Sequence, residues 1–183
     1  MEIFRGYSYA PNTKVCLSKI LSEILEQHDI VLLCLGTDKL VGDCLAPLIA
    51  EKLRQNNFPF YIYGGLNAPI TTQNAQFASE FIRAIHPTSK IVLIDSMTTT
   101  NQANLGDIVI TNQHHSAFNN LKINADLCVY GITSLLYNNL LNCAKLRNVV
   151  FLANLICDSF FDAFKLKNST LRDKNSIFST FSH

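Results

Sequence analysis

The chain has 183 residues, enough for one domain with a sheet covered on both faces and too few for two domains of usual size. Charged residues make up 16% against about 25% in an average domain, and hydrophobic residues reach 48%, so much of the chain is expected in core or buried interface, which favours a homo-oligomer over a monomer. A net charge of +1 without a Lys/Arg cluster argues against nucleic acid as the main partner, because neutralising phosphates takes several cations on one surface.

The first ten residues, MEIFRGYSYA, lack the apolar segment of a signal peptide, and no apolar run approaches the ~20 residues of a membrane span. Cys16, Cys34, Cys44, Cys128, Cys143 and Cys157 are scattered, form no CxxC pair, and in several cases sit inside apolar runs as small core residues do. These features predict reduced thiols, a cytoplasmic location and no membrane partner.

Between Thr13 and Gln27, the residues Leu17, Ile20, Leu21, Ile24 and Leu25 fall on one face, predicting an amphipathic helix whose start is marked by Pro11 and Asn12. Ile30 to Leu35 is a continuous apolar run of strand length ended by Gly36, the pattern of a parallel strand buried on both faces. The chain then passes through Gly36, Thr37, Asp38, Gly42 and Asp43. Two carboxylates, a hydroxyl and two permissive glycines thus lie just outside a strand's carboxyl end, where open α/β sheets bind ligands. Leu45, Leu48, Ile49 and Leu53 recur at helical spacing, and Pro47 is tolerated only in a first turn, so a helix is expected to start near Asp43 or Cys44. Asp43 at that position is either an N-cap, with Asp38 a plain loop residue, or a functional carboxylate.

Phe58 to Tyr63 predicts a second strand, closed by Gly64 and Gly65 and followed by the loop GGLNAPITT. Ala75, Ala78, Phe81, Ile82 and Ile85 predict the inward face of the next helix, with Thr71 or Thr72 as its cap and His86-Pro87 as its end. Lys90 to Ile94 is a third buried strand, from which Asp95 emerges. Strands joined by helical crossovers are parallel in almost every case, so Asp95 and the loop of residues 36–43 should share one sheet edge. SMTTTNQANLGD reads as loop, Ile108 to Thr111 as a strand, NQHHS as a turn and Asp126 to Gly131 as another strand, while residues 133–142 match neither period. Val149, Leu152, Ala153, Ile156, Phe160, Ala163 and Phe164 predict a last helix capped by Asn148. The pattern stops beyond Lys165, which predicts a single domain over residues 1–165 and a flexible tail over 166–183.

Two carboxylates at one sheet edge can share a proton, one acting as base toward water and the other as acid toward a scissile carbonyl, which is aspartic-type hydrolysis. A histidine joining them would turn the pair into metal ligands, and His114 or His115 lies about twenty residues past Asp95. No GxSxG, HExxH, P-loop or GxGxxG is present. Asp158 and Asp162 read as a solvated helix face, and Cys44 is a nucleophile candidate without a histidine near it in sequence.

The segments LLCLGTDKLVGDCLAP, YGGLNAPITTQN and VLIDSM, in that order, resemble the sporulation protein YyaC family (DUF1256) from about Ile30 to Gly131. The resemblance implies a three-layer α/β/α sandwich with a mainly parallel central sheet, phosphorylase/hydrolase-like, related to the spore germination protease and the hydrogenase maturation endopeptidases. The germination protease carries one Asp in a DALGP segment and another in IDAL, positions matched here by Asp43 in GDCLAP and Asp95 in IDSM. In the maturation endopeptidases the corresponding acids and a later His bind a divalent metal, which makes Asp43, Asp95 and His115 (or His114) the ligand candidates. Ala46 replaces the usual Gly, Ser96 the usual Ala, and NAPITT carries Ala68 and Thr71 where those relatives have an acid and a His.

The expectation is a sporulation-associated, peptidase-like hydrolase acting on a protein or peptide substrate, with Asp43 and Asp95 catalytic and Gly36, Thr37, Asp38 and Gly42 shaping the substrate side. The alternative is a catalytically inactive protein of the same fold that binds a peptide or assembles partners. Carboxylates in an open cleft favour the first, and a salt-bridged, covered pair the second. The cysteine pattern makes its own prediction: freshly prepared, denatured protein should titrate with six reactive thiols, and a smaller number would contradict the reduced state.

Overall fold

A computed structural model describes residues 1–112, 123–137, 140–142 and 144–179, without the side chains of 137, 140–142 and 170–179. In chain order the elements are β1 (Glu2–Tyr7), α1 (Thr13–Gln27), β2 (Ile30–Cys34), α2 (Leu45–Gln55), β3 (Tyr61–Tyr63), α3 (Ala75–Ile85), β4 (Lys90–Thr99), β5 (Asp107–Thr111), β6 (Leu127–Tyr137), β7 (Leu140–Asn142) and α4 (Leu146–Ser179). Short 3-10 turns occupy Gly42–Cys44 and Gln102–Asn104.

All five residues of β2 are buried, and the alternation of a strand sends Ile30, Leu32 and Cys34 to one face of the sheet and Val31 and Leu33 to the other. On the first face α1 contributes Leu17, Leu21 and Leu25, α2 contributes Leu45, Ile49 and Leu53, and α4 contributes Val149, Leu152, Ile156 and Phe160. On the second, Ala75 and Ile82 of α3 cover Val31, Leu33, Ile91, Leu93 and Tyr130. The result is a three-layer α/β/α sandwich. Its sheet runs β1-β5-β6-β4-β2-β3, with β3, β2, β4 and β6 mutually parallel at the centre and β5, β1 and β7 added antiparallel. The chain leaves β2 toward α2 on one face and β3 toward α3 on the other, so the carboxyl ends of the parallel strands stand at a parting of the two helical layers.

Several elements differ from the sequence reading. β1 has no counterpart in it, because EIFRGY carries little apolar signal and, among the described residues, lies at the sheet edge, paired with β5 alone. The strand expected over Phe58 to Tyr63 shortens to β3. Phe58 instead packs among the rings of Phe160, Phe161 and Phe164 at centroid distances of 5.8, 5.2 and 6.2 Å. α3 has the predicted bounds but buries only Ala75, Ser79 and Ile82, leaving Phe81 and Ile85 exposed. β4 does not stop before Asp95 but runs on to Thr99, held by pairing with β6, which likewise absorbs residues that match no period. Asn148 is not a cap, since α4 already begins at Leu146. The same helix continues past Lys165 to Ser179, so the backbone of the expected tail is largely helical. No Pro or Gly interrupts residues 166–179.

At the amino ends of the parallel strands a charge cluster pins β4 to β6 and α3. Asp126 pairs with Arg83 at 2.5 Å and Lys90 at 3.4 Å, and it accepts the Ile91 N–H at 2.8 Å. Burial alone would lift this carboxyl, but the Arg83 bond, the Ile91 N–H and the two cations outweigh it and hold it below its ordinary 3.8. A depressed folded value adds stability above the unfolded value that is lost as pH falls through the folded one. Asp126→Asn should therefore destabilise by about 1–3 kcal/mol at neutral pH in urea melts, with the difference from wild type shrinking below about pH 4.

Candidate active site

The site is built where β2 ends. Gly36 has φ +146°, and a Cβ there would run into the Asp43 carbonyl. Its N–H donates to Ile70 O at 2.7 Å, and the Thr37 N–H donates to Asp43 O at 3.2 Å, so the loop folds back and presents the turn Gly42–Cys44 over the strand end. Gly42 in turn lies against β6. A Cβ on it would stand 2.7 Å from Ser134 Oγ and 3.1 Å from Thr133 Oγ1. Between Met97 and Thr98 the pairing of β4 with β6 shifts by one residue, leaving Thr133 as the extra one. That bulge breaks the alternation and brings two consecutive hydroxyls, 3.3 Å apart, to the same glycine.

Asp95 lies within β4 opposite Tyr130, and Asp43 reaches it from the turn above. Ser96 joins the two. Its Oγ donates to Asp43 Oδ1 at 3.2 Å, and its N–H donates to Asp95 Oδ1 at 2.7 Å. Asp43, Asp95 and Ser96 are each half-buried. Burial pushes the Asp95 carboxyl up to about 8; the Ser96 N–H opposes that rise and the Asp43 charge adds to it. No ion pair reaches either carboxylate among the described residues. Asp43 makes no side-chain cap bond, so its carboxylate faces Ser96 rather than the helix start.

The other candidates divide. Gly36 and Gly42 supply the close approaches just described, and the Gly36 N–H is already used. Thr37 Oγ1 accepts the Lys39 N–H at 3.3 Å in a local turn, and Asp38 is exposed beside it. The Cys44 thiol is pushed up by burial and then by the charges of Asp38 and Asp43, the reverse of what a nucleophile needs. Asp162 pairs with Lys14 at 2.8 Å and lies 3.9 Å from Lys165, a surface arrangement.

His114 and His115 fall outside the described residues. Among the described residues no group of three His, Cys, Asp or Glu side chains converges, so Asp43 and Asp95 alone fall short of the three protein ligands of a catalytic metal centre. Ser96 and the Thr133–Ser134 pair are the site residues that sequence reasoning missed. Ser96 stands next to Asp95 in VLIDSM, and its departure from the usual Ala is the signal that marks it.

The loop after β3 is tied to α2: Arg54 donates to Ile62 O at 2.9 Å and to Gly64 O at 2.5 Å, while Glu51 accepts the Leu66 N–H at 3.2 Å. Ile70 then bridges to Leu35, laying the NAPITT segment beside the end of β2.

Among solved structures, the chain is similar to the NiFe hydrogenase maturation protease HycI from Thermococcus kodakarensis KOD1, with 12% identity and a TM-score of 0.48 over 77% of this chain and 98% of that one. It is also 29% identical over 100 residues to the "Uncharacterized protein YyaC" of Bacillus subtilis (strain 168). That match covers 50% of this chain and 49% of the relative, so it spans about half the length of the curated relative. The family model described as "Protein of unknown function (DUF1256)" matches residues 6–159, and the chain belongs to that family.

Proposed function

We propose that the chain is a peptidase-like hydrolase that acts on a protein or peptide substrate through Asp43 and Asp95. The observation that carries this reading is a half-buried carboxyl raised to about 8 beside a second carboxylate, both bonded by Ser96 and neither neutralised by a cation among the described residues. Asp43 accepts a proton from water as the water oxygen bonds to the carbonyl carbon. Asp95, protonated at neutral pH, gives its proton to the carbonyl oxygen. Collapse of the tetrahedral adduct returns that proton to Asp95, breaks the C–N bond and passes the Asp43 proton to the leaving nitrogen. Ser96 holds the two carboxylates in register, and Gly36, Thr37, Asp38 and Gly42 shape the substrate side. The resemblance to a sporulation family is the ground for placing the substrate in spore formation, and the cytoplasmic location belongs to the same proposal.

A second reading, a peptide-binding or assembly protein without catalysis, is favoured by Ala68 and Thr71 in the NAPITT loop. Asp43→Asn and Asp95→Asn separate the two. Each should lower cleavage of a peptide library, followed by mass spectrometry, by about 10²-fold or more while the fold persists. A wild type that cleaves nothing at any pH would establish the binding protein instead.

Asp95 also dictates a pH dependence. Its folded value lies above the ordinary 3.8, so between 3.8 and about 8 the native chain holds a proton that the unfolded chain has lost. Its contribution to stability therefore falls with rising pH, at up to about 1.4 kcal/mol per unit in that window. Asp95→Asn should gain stability relative to wild type as pH rises from 5 to 8, and wild-type activity should decline above about pH 8.

The homo-oligomer is proposed on the low charge content together with α3, where Phe77, Phe81 and Ile85 are 72%, 48% and 51% exposed at four-residue spacing. A second copy of the chain would cover them. Sedimentation should find a dimer or larger, and Phe81→Glu should shift it toward monomer.

A further inference from the structure

Among the described residues, the strand path of the sheet ends on β1 at one side and on β3 at the other. An end strand presents unpaired N–H and C=O groups on which another strand can form. β1 answers this through its own residues. Its register with β5 is irregular between Glu2 and Phe4, and it carries Glu2 and Arg5, which pair with each other at 2.8 Å. An irregular register and charges on the strand both discourage further pairing. β3 has neither. Tyr61, Ile62 and Tyr63 are three residues of high strand propensity, without charge, proline or a break in their register with β2, and Tyr61 is 67% exposed.

What closes this edge comes from the last turn of α2. Arg54 Nη2 donates to Ile62 O at 2.9 Å and to Gly64 O at 2.5 Å. Successive peptide groups of a strand point to alternate sides. β2 holds one side of β3, and Ile62 O, bonded to Arg54 instead, lies on the other. The guanidinium thus takes an acceptor that a further strand would need. It is held there on its own account: Arg54 Nη1 donates to Glu51 Oε1 at 3.3 Å, and the same oxygen accepts the Leu66 N–H at 3.2 Å. A Cβ on Gly65 would stand 2.5 Å from Arg54 Nη1 and 2.8 Å from Glu51 Oε1, so the absence of a side chain at Gly65 leaves the room in which the guanidinium lies against the backbone.

The strand best matched to such an edge is the same edge of a second copy. Copies of one chain associate most often about a two-fold axis, which would set β3 against β3 antiparallel with Ile62 opposite Ile62. We propose that Arg54 is a plug on the free edge of the sheet: it keeps two copies of this chain from joining β3 to β3 and leaves the apolar face of α3 as the surface through which they meet. The second half rests on the homo-oligomer reading, and the plug itself does not.

The test uses the full chain carrying Phe81→Glu, which removes association through α3, with Arg54 intact or replaced by Ala or Lys. Sedimentation reads the assembly, and hydrogen exchange reads the Ile62 N–H, which faces the same side of the strand as its own C=O. With Arg54 in place the chain should stay monomeric as concentration rises, and Ile62 should exchange fast. Arg54→Ala should form dimers or larger species with rising concentration, with exchange at Ile62 slowed about tenfold or more as they form. Arg54→Lys, whose ammonium replaces a two-pronged donor with a point charge, should fall between, and it decides the matter if Arg54→Ala does not fold. Folded variants that stay monomeric with Ile62 exchanging as fast as in the parent overturn the plug, as does association that leaves Ile62 exchange unchanged. A chain with Phe81 and Arg54 both intact that sediments as a monomer falls on the α3 surface alone. An oligomer that survives Phe81→Glu falls on that surface when Ile62 still exchanges fast, and on the plug when it does not.

Discussion

The site depends on how closely the chain can fold back on itself at Gly36. A side chain there would occupy the space of the Asp43 carbonyl, and the two bonds that fasten the loop, Gly36 N–H to Ile70 O and Thr37 N–H to Asp43 O, both require that approach. Without it the turn Gly42–Cys44 would not lie over the end of β2, and Asp43 would be an exposed loop acid instead of the partner of Ser96. The positive φ of Gly36 is thus the backbone condition under which two carboxylates 52 positions apart in sequence meet at one serine.

The two edges of the parallel strands treat charge in opposite ways. At the amino edge Asp126 is satisfied by two cations and a backbone N–H, which fixes β6 beside β4 and leaves no proton chemistry to do. At the carboxyl edge Asp43 and Asp95 have no cation among the described residues, and burial is answered by retention of a proton on Asp95. The first arrangement adds stability. The second gives some up, because a buried carboxyl without a cation keeps its proton toward neutral pH.

Most of the central strand-loop-helix is legible in the sequence because its signals agree. Five consecutive apolar residues, a glycine stop and a proline tolerated only in a first helical turn leave little choice of structure. What is not legible depends on partners distant in sequence. Ser-Met-Thr-Thr after Asp95 is polar and reads as loop, yet it is strand because β6 extends alongside it. The face of α3 follows its helical period, but the period does not say which part of that face the sheet covers, and Phe81 and Ile85 are exposed. The acids of the site can be read from their places after apolar runs. Ser96 and Thr133 cannot be read in that way, because their roles arise from a contact across 53 residues and from a strand bulge.

α2 connects two parts of the site that are far apart in the loop diagram. Asp43 immediately precedes its first turn, and Arg54 near its last grips the carbonyls of Ile62 and Gly64, from which the NAPITT segment departs. At about 1.5 Å per residue the helix is a strut some 16 Å long. It is anchored to the sheet by the buried Leu45, Ile49 and Leu53. The same helix therefore fixes, through Arg54 at one end and the turn Gly42–Cys44 at the other, the spacing between the start of the loop beyond Gly64 and the turn that carries Asp43.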